Sequence, residues 1–152
     1  MELANSSAST KVSPSMTMSS NELKCFYTNA NSLKGKMDEL RHRTDSAKFD
    51  VVGITETWAD SSVTDAELSL EGFDMFRVDR KGSKGGGVLL YIREELGAVI
   101  LDNLSEFREQ VWCSLKLKSS SLLLGLCYRS PNSDKNNNDS LLRSLEKVIA
   151  KR

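Results

Sequence analysis

Glu56 closes the run Phe49-Asp50-Val51-Val52-Gly53-Ile54-Thr55, a β-branched apolar stretch that reads as a buried strand. A carboxylate at the carboxyl end of such a strand is a hard oxygen donor on a rigid perch, which suits a divalent cation such as magnesium. A second polar strand end, Tyr27-Thr28-Asn29-Ala30-Asn31-Ser32-Leu33, lies one helix upstream. Ligands of open α/β sheets gather at carboxyl strand ends, so two such ends joined by a crossover helix suggest one shared site. Further along, Arg77, Arg80, Lys81 and Lys84 form a local basic cluster. Two readings of it stay open: salt-dependent contact with nucleic-acid phosphates, or a plain solvated loop. The glycines of Lys81-Gly82-Ser83-Lys84-Gly85-Gly86-Gly87 do not make a nucleotide phosphate loop, because they run into Val88-Leu89-Leu90-Tyr91, a strand, where that loop must open a helix. Close backbone packing in a turn is their expected role. The only histidine, His42, lies on the polar side of the first helix between Arg41 and Arg43 and reads as a surface residue.

The elements that position these groups follow from periodicity. Residues 1–20 are Ser/Thr-rich without sustained apolar periodicity and are expected to form a disordered leader, with the folded domain occupying 21–152. Leu23 to Thr28 is a first strand. Lys36 to Ala47, with Met37, Leu40 and Ala47 at helical spacing, is an amphipathic crossover helix. Asp50 to Thr55 is a second strand, apolar on both faces, and completes a right-handed βαβ unit. Strand-and-turn texture follows over Gly72–Val78, Gly87–Ile92, Ala98–Leu101, Gln110–Leu117 and Leu122–Tyr128, expected to add antiparallel pairs. Pro131 to Asp139 reads as a loop. Asn138 or Asp139 then caps a closing helix carrying Leu141, Leu142, Leu145, Val148 and Ile149. An α/β pattern that stops on a helix reads as incomplete.

Composition removes several function classes. The 152 residues are 39% apolar and 28% charged, with 21 basic and 21 acidic side chains, so any binding face for a polyanion must be local rather than global. Cys25, Cys113 and Cys127 are odd in number and lack CxxC spacing, which favours packing thiols over a disulfide partner or a zinc site. The longest apolar run, near Leu122–Tyr128, is too short to span a bilayer, and the N-terminus has no secretory signal pattern. The expected setting is intracellular, nuclear or cytoplasmic, with no membrane partner and no secretion.

Five ordered stretches together carry a family resemblance: Asn29-Ala30-Asn31-Ser32-Leu33; Asp50 through Trp58; Gly72-Phe73 with Phe76-Arg77-Val78-Asp79-Arg80; Gly85-Gly86-Gly87-Val88; and Tyr128-Arg129-Ser130-Pro131-Asn132. Over residues 22–152 the chain resembles the amino-terminal half of the endonuclease/exonuclease/phosphatase family, and more narrowly the endonuclease of non-LTR (LINE-type) retrotransposons. The resemblance implies an α/β (α+β) fold, roughly half of a four-layered α/β sandwich, and metal-dependent phosphodiester hydrolysis on DNA. It implies that Glu56 is the Mg2+ ligand, with Mn2+ as a substitute, and that Asn29 organises the phosphate. It implies that Tyr128 lies near the scissile phosphate, although a strand-end Tyr also commonly just packs its ring. Asn132 is implied as a substrate contact, and Asn31 together with Arg80 and Lys84 of the basic cluster are the other expected substrate contacts. It also implies that the half-sandwich leaves an inner apolar sheet face bare, built from residues such as Val88, Leu90, Leu115 and Leu123, and so self-associates.

The same resemblance calls for a later Asp-Asn pair in a Gly-Asp-Phe-Asn context and a terminal Ser-Asp-His, and neither motif occurs in these 152 residues. Three functional readings follow: a truncated, inactive retrotransposon endonuclease domain; a non-catalytic DNA- or metal-binding remnant; or a fragment of a phosphoinositide phosphatase or repair nuclease of the same superfamily.

Overall fold

The computed structural model describes residues 22–102 and 104–151, so the expected leader at 1–20 lies outside the described residues. Two sheets pack face to face with helices outside each, giving layers in the order helix, sheet, sheet, helix. The first sheet contains β1 (Cys25–Asn29), β2 (Val51–Thr55), β3 (Phe73–Val78) and β4 (Val88–Arg93), in the order β1-β2-β4-β3. β1 and β2 run parallel, joined by α1 (Met37–Ala47); β2–β4 and β3–β4 are antiparallel. The second sheet, β5 (Val99–Ile100), β6 (Gln110–Lys116) and β7 (Ser121–Cys127), is an antiparallel meander. The βαβ start and the added antiparallel pairs are those expected from the sequence. A short helix α2 (Asp65–Leu68) was not anticipated; it opens on a capping box in which the Thr64 hydroxyl accepts from Glu67 N–H and the Glu67 carboxylate accepts from Thr64 N–H.

Period-two alternation sorts the first sheet's side chains between two cores. Phe26, Val52, Ile54, Leu89 and Tyr91 point outward onto Met37 and Leu40 of α1 and Leu68 of α2. Val51, Val88, Leu90 and Ile92 point inward onto Val111, Cys113 and Leu115 of the second sheet. Gly53 in β2 faces Leu126 across the sheets, where a Cβ would make an ordinary contact at 3.4 Å.

This packing corrects the expectation of a bare inner face. Val88, Leu90 and Leu115 are buried against one another, because the second sheet is itself built within these residues. Leu123 belongs to the opposite face: it pairs with Ser114, whereas the inward residues of β7 are Leu122, Leu124 and Leu126. The assignment was off by one residue, which in a strand exchanges the faces.

The closing helix α3 (Lys135–Ala150) also departs from expectation. Its cap is Asp134, whose Oδ1 accepts from Asn137 N–H at 2.7 Å, so Asn138 and Asp139 lie inside the helix. Its inward face is Asn137, Ser140, Ser144 and Val148, while Leu142, Leu145 and Ile149 are exposed. The inward placement is set by hydrogen bonds: Ser144 Oγ donates to Gln110 Oε1 at 2.8 Å and pairs with Ser105 Oγ, and Asn137 Oδ1 accepts from Arg108 N–H. Cys25 is exposed, Cys113 is buried and Cys127 half-buried; all three are free thiols, and burial pushes the last two up to about 11.

Candidate functional site

The β1–β2 ladder continues past the strands themselves. Ala30 N–H donates to Thr55 O, Ser32 N–H to Glu56 O and Leu33 N–H to Thr57 O, at 2.8, 2.9 and 2.9 Å. On the other side Trp58 N–H donates to Gly86 O at 2.9 Å and Thr57 N–H to Gly87 O at 3.4 Å. The segment carrying Glu56 is thereby clamped between the Asn29–Leu33 loop and the glycine loop. Among the described residues five non-glycines adopt positive φ, and four of them, Asn31, Ser32, Glu56 and Trp58, are at these two strand ends. Left-handed backbone at non-glycine residues is held only when the surroundings over-determine it, and such residues concentrate at functional sites.

Three side chains converge on the Glu56 carboxylate. The Tyr128 hydroxyl donates to Oε1 and Trp58 Nε1–H donates to Oε2 at 3.3 Å, and Asn29 lies beside them, near enough to help lower the carboxyl's pKa. The Tyr128 bond is the largest of the causes that hold the Glu56 carboxyl below its ordinary value; partial burial opposes it, and Asn29, Trp58 and the charge of Arg80 assist it. Tyr128 responds in the opposite sense, pushed up to about 12 by desolvation and by donating to that carboxylate. It is therefore a neutral O–H donor throughout the physiological range.

Glu56 opens onto a cavity of about 800 Å3 lined also by Trp58, Arg80, Lys84, Glu109, Tyr128 and Asn132. Glu56, Asp79 and Glu109 are the carboxylates in its wall, and guanidinium groups claim two of them. Arg77 forks onto Asp79 through Nε and Nη2, both at 2.9 Å, and Arg80 binds Glu109 Oε2 through Nε at 3.2 Å and Nη2 at 2.9 Å. Glu56 makes no ion pair among the described residues. It is the carboxylate of this cavity left without a cationic partner. Its donor set fits a hard divalent ion: an ionised carboxylate offers about four lone-pair sites, and the two hydrogen bonds from Tyr128 and Trp58 leave room for a metal–oxygen contact, with water or substrate completing the shell. No group of three or more His, Cys, Asp or Glu gathers among the described residues.

The anticipated site residues divide accordingly. Asn29, Glu56 and Tyr128 come together, and Arg80, Lys84 and Asn132 line the same cavity. Asn31 does not line it; its N–H donates to Asn29 Oδ1 at 3.1 Å, which makes it a support for Asn29. The basic cluster is divided. Arg77 is an internal strut that also binds Asp60 O, Val63 O and Asp65, and Arg80 is paired with Glu109, whereas Lys81 and Lys84 are exposed, with Lys84 Nζ over the Trp58 ring at 5.5 Å. Two residues escaped the sequence reading. Trp58 carried a signal, its position two after Glu56 on a strand-end turn. Glu109 carried none, because its partners are brought to it only by the packing of the two sheets.

The match to the Endonuclease/Exonuclease/phosphatase family extends over residues 19–139, most of the chain. The chain belongs to this family. Similar solved structures include the endonuclease domain of TRAS1, a telomere-specific non-LTR retrotransposon, at 14% identity and TM-score 0.59, covering 85% of this chain and 54% of that one. The AP endonuclease LMAP from Leishmania major matches at 17% identity and TM-score 0.60, covering 81% and 46%, and the 3' phosphatase NExo from Neisseria, bound to a product DNA hairpin, at 16% identity and 0.58, covering 86% and 52%. These likenesses show a shared four-layered fold, and the chain spans about half the length of the structures it matches. No curated protein matched it. No helix among the described residues is long and apolar enough to cross a membrane.

Proposed function

We propose that this chain carries the metal-binding side of a DNA phosphodiesterase site of the retrotransposon endonuclease type. The observation that carries the reading is the unpaired carboxylate: Asp79 and Glu109 are paired with arginines, and Glu56 is held ionised by donors from Tyr128 and Trp58 and left open to a cation. Glu56 would hold Mg2+ or Mn2+, with the Asn29 side chain beside it. A divalent ion there supplies Lewis-acid polarisation of a phosphate oxygen. The chain's own groups orient and attract: Tyr128 presents a neutral O–H, Asn29 an amide, and Lys81 and Lys84 positive charge toward a phosphate backbone. The retroelement branch is supported by Thr55-Glu56-Thr57-Trp58 with the glycine loop, and by the likeness to the TRAS1 domain.

The same arrangement argues that the 152 residues alone do not hydrolyse DNA. A general base must be a free acceptor, and the cavity's other carboxylates are committed to arginines. General acid–base assistance is worth about 10²–10⁴-fold and stabilisation of the developing charge a comparable factor, so the combined lack of both should put the attack beneath background. Expected results are therefore a millimolar-range Mn2+ response of the amide signals around Glu56 and Asn29, abolished in Glu56→Gln, with no Mg2+-dependent nicking of supercoiled plasmid. Joining the carboxyl-terminal half of a related element should restore nicking, and Glu56→Ala should abolish it again. Spectra indifferent to saturating Mn2+ would overturn the metal assignment, and Glu56-dependent nicking by the unfused chain would overturn the inactivity.

A further inference from the structure

Glu109 is a buried carboxylate that the proposed chemistry does not use, and it touches both arms of the cradle around Glu56. Its side chain is only 7% exposed. Through Oε1 it accepts from Gly87 N–H at 2.6 Å, which fixes the loop whose Gly86 carbonyl receives Trp58 N–H, and Trp58 in turn donates its indole N–H to Glu56 Oε2. Through Oε2 it holds Arg80, whose guanidinium lies 5.9 Å from the Tyr128 ring centroid, and its backbone carbonyl receives Tyr128 N–H at 2.9 Å. Tyr128 then donates to Glu56 Oε1. The contacts close a ring: Glu56, Trp58, the glycine loop, Glu109, Tyr128 and Glu56 again.

The ring requires bare backbone at the glycine loop. A Cβ on Gly86 would lie 2.2 Å from Glu109 Oε1 and 2.3 Å from Arg80 Nε, and a Cβ on Gly87 would lie 2.4 Å from Thr57 Oγ1. Both glycines also have positive φ, so the carboxylate–guanidinium pair seats against a main chain that no other residue adopts without strain.

We infer that Glu109 is a positioning residue for Glu56, a strut between the two sheets that sets where Trp58 and Tyr128 place the carboxylate. Outer-shell partners of this kind commonly change metal affinity by about 10–100-fold when removed, because ligand orientation is lost while the ligand stays. The affinity consequence rests on the reading of Glu56 as a metal ligand. The positional consequence does not, and it is legible without metal.

The test compares the wild-type chain with Glu109→Ala, Glu109→Gln and, as a packing control away from the cavity, Leu115→Ala. The metal-free readouts are the Trp58 indole 1H–15N resonance, the Gly87 amide resonance and the Tyr128 Cζ carbon shift. Glu109→Ala should move all three. Glu109→Gln, which keeps an oxygen for Gly87 N–H but no charge for Arg80, should largely restore the Gly87 and Trp58 signals while leaving Tyr128 displaced. Leu115→Ala should lower the melting temperature and leave the three signals in place. With Mn2+ added, Glu109→Ala should bind about tenfold or more weakly than wild type. Should Glu109→Ala fail to fold, Glu109→Gln decides through the Tyr128 signal. Wild-type-like resonances in folded Glu109→Ala, or a wild-type-like Tyr128 signal in Glu109→Gln, would overturn the inference. Absence of any Mn2+ effect on the wild type would instead overturn the metal reading and leave the metal-free comparison intact.

Discussion

At the scale of single residues, Glu56 is defined by its donors, and its protonation should report them. Its folded value lies below the ordinary 4.5, so its contribution to stability is present above that value and is lost as pH falls through the lower, folded one. Tyr128→Phe removes the largest cause of the lowering and should raise the protonation midpoint of Glu56, read from its carboxyl carbon in a 13C titration; an unchanged midpoint would show that the phenol does not hold the carboxylate. The sign reverses for Tyr128. Its contribution is complete below the ordinary 10.0 and is lost as pH climbs toward about 12. Glu56 was legible in sequence because a β-branched run ending in a lone carboxylate has a geometry of its own. Arg80 was legible only as a charge. Its pairing with Glu109 depends on two sheets meeting, and Arg77, adjacent in pattern, proved to be tied to Asp60, Val63, Asp65 and Asp79 instead.

At the scale of elements, the loop before β4 and the cap of α3 make separable predictions. Gly82 and Gly86 both have positive φ, yet a Cβ at Gly82 meets nothing within 4 Å while one at Gly86 overlaps Glu109 and Arg80. Gly82→Ala should therefore cost only the left-handed strain, about 1–2 kcal/mol. Gly86→Ala should cost clearly more, because the buried ion pair must also move. Urea denaturation of the two variants checks the ordering, and equal losses would refute the close-approach argument. Asp134→Ala should cost about 1 kcal/mol through loss of the α3 cap. The start of α3 was misread because Asn136, Asn137 and Asn138 are poor helix formers and look like loop, although Asp134 already satisfies Asn137 N–H. The capping box at Thr64–Glu67 was readable as a pattern, but a helix of four residues leaves no periodicity to notice.

At the scale of the whole molecule, apolar burial and apolar exposure lie on different surfaces from those the sequence suggested. Alternation identifies the strands but cannot say which strands face each other; the bare inner face followed from the resemblance to a half-sandwich, whereas the second sheet, built within these residues, covers it. Leu115, fully buried between the sheets, should cost about 2–5 kcal/mol on truncation to Ala, whereas exposed Leu142 should change stability by less than about 0.5 kcal/mol. Besides Val99 and Ile100 of β5 and the strand-end Tyr27 and Trp58, α3 carries open apolar surface: Leu142, Leu145 and Ile149 follow at i, i+3 and i+7 and form one stripe, because Ser140, Ser144 and Asn137 occupy the packed side. A stripe of large apolar side chains on one helix face is the kind of surface that marks a contact site, and the self-association expected from the sequence is tested there. Sedimentation velocity should therefore show a concentration-dependent increase in mass for the wild type. Lysine at both Leu142 and Ile149 should abolish it without lowering the melting temperature, since neither side chain is part of the core. Leu115→Ala should leave association unrelieved, separating the helix stripe from the sheet interior. A wild-type chain that stays monomeric over the whole range, or a double lysine variant that associates as strongly as wild type, would remove α3 as the contact surface.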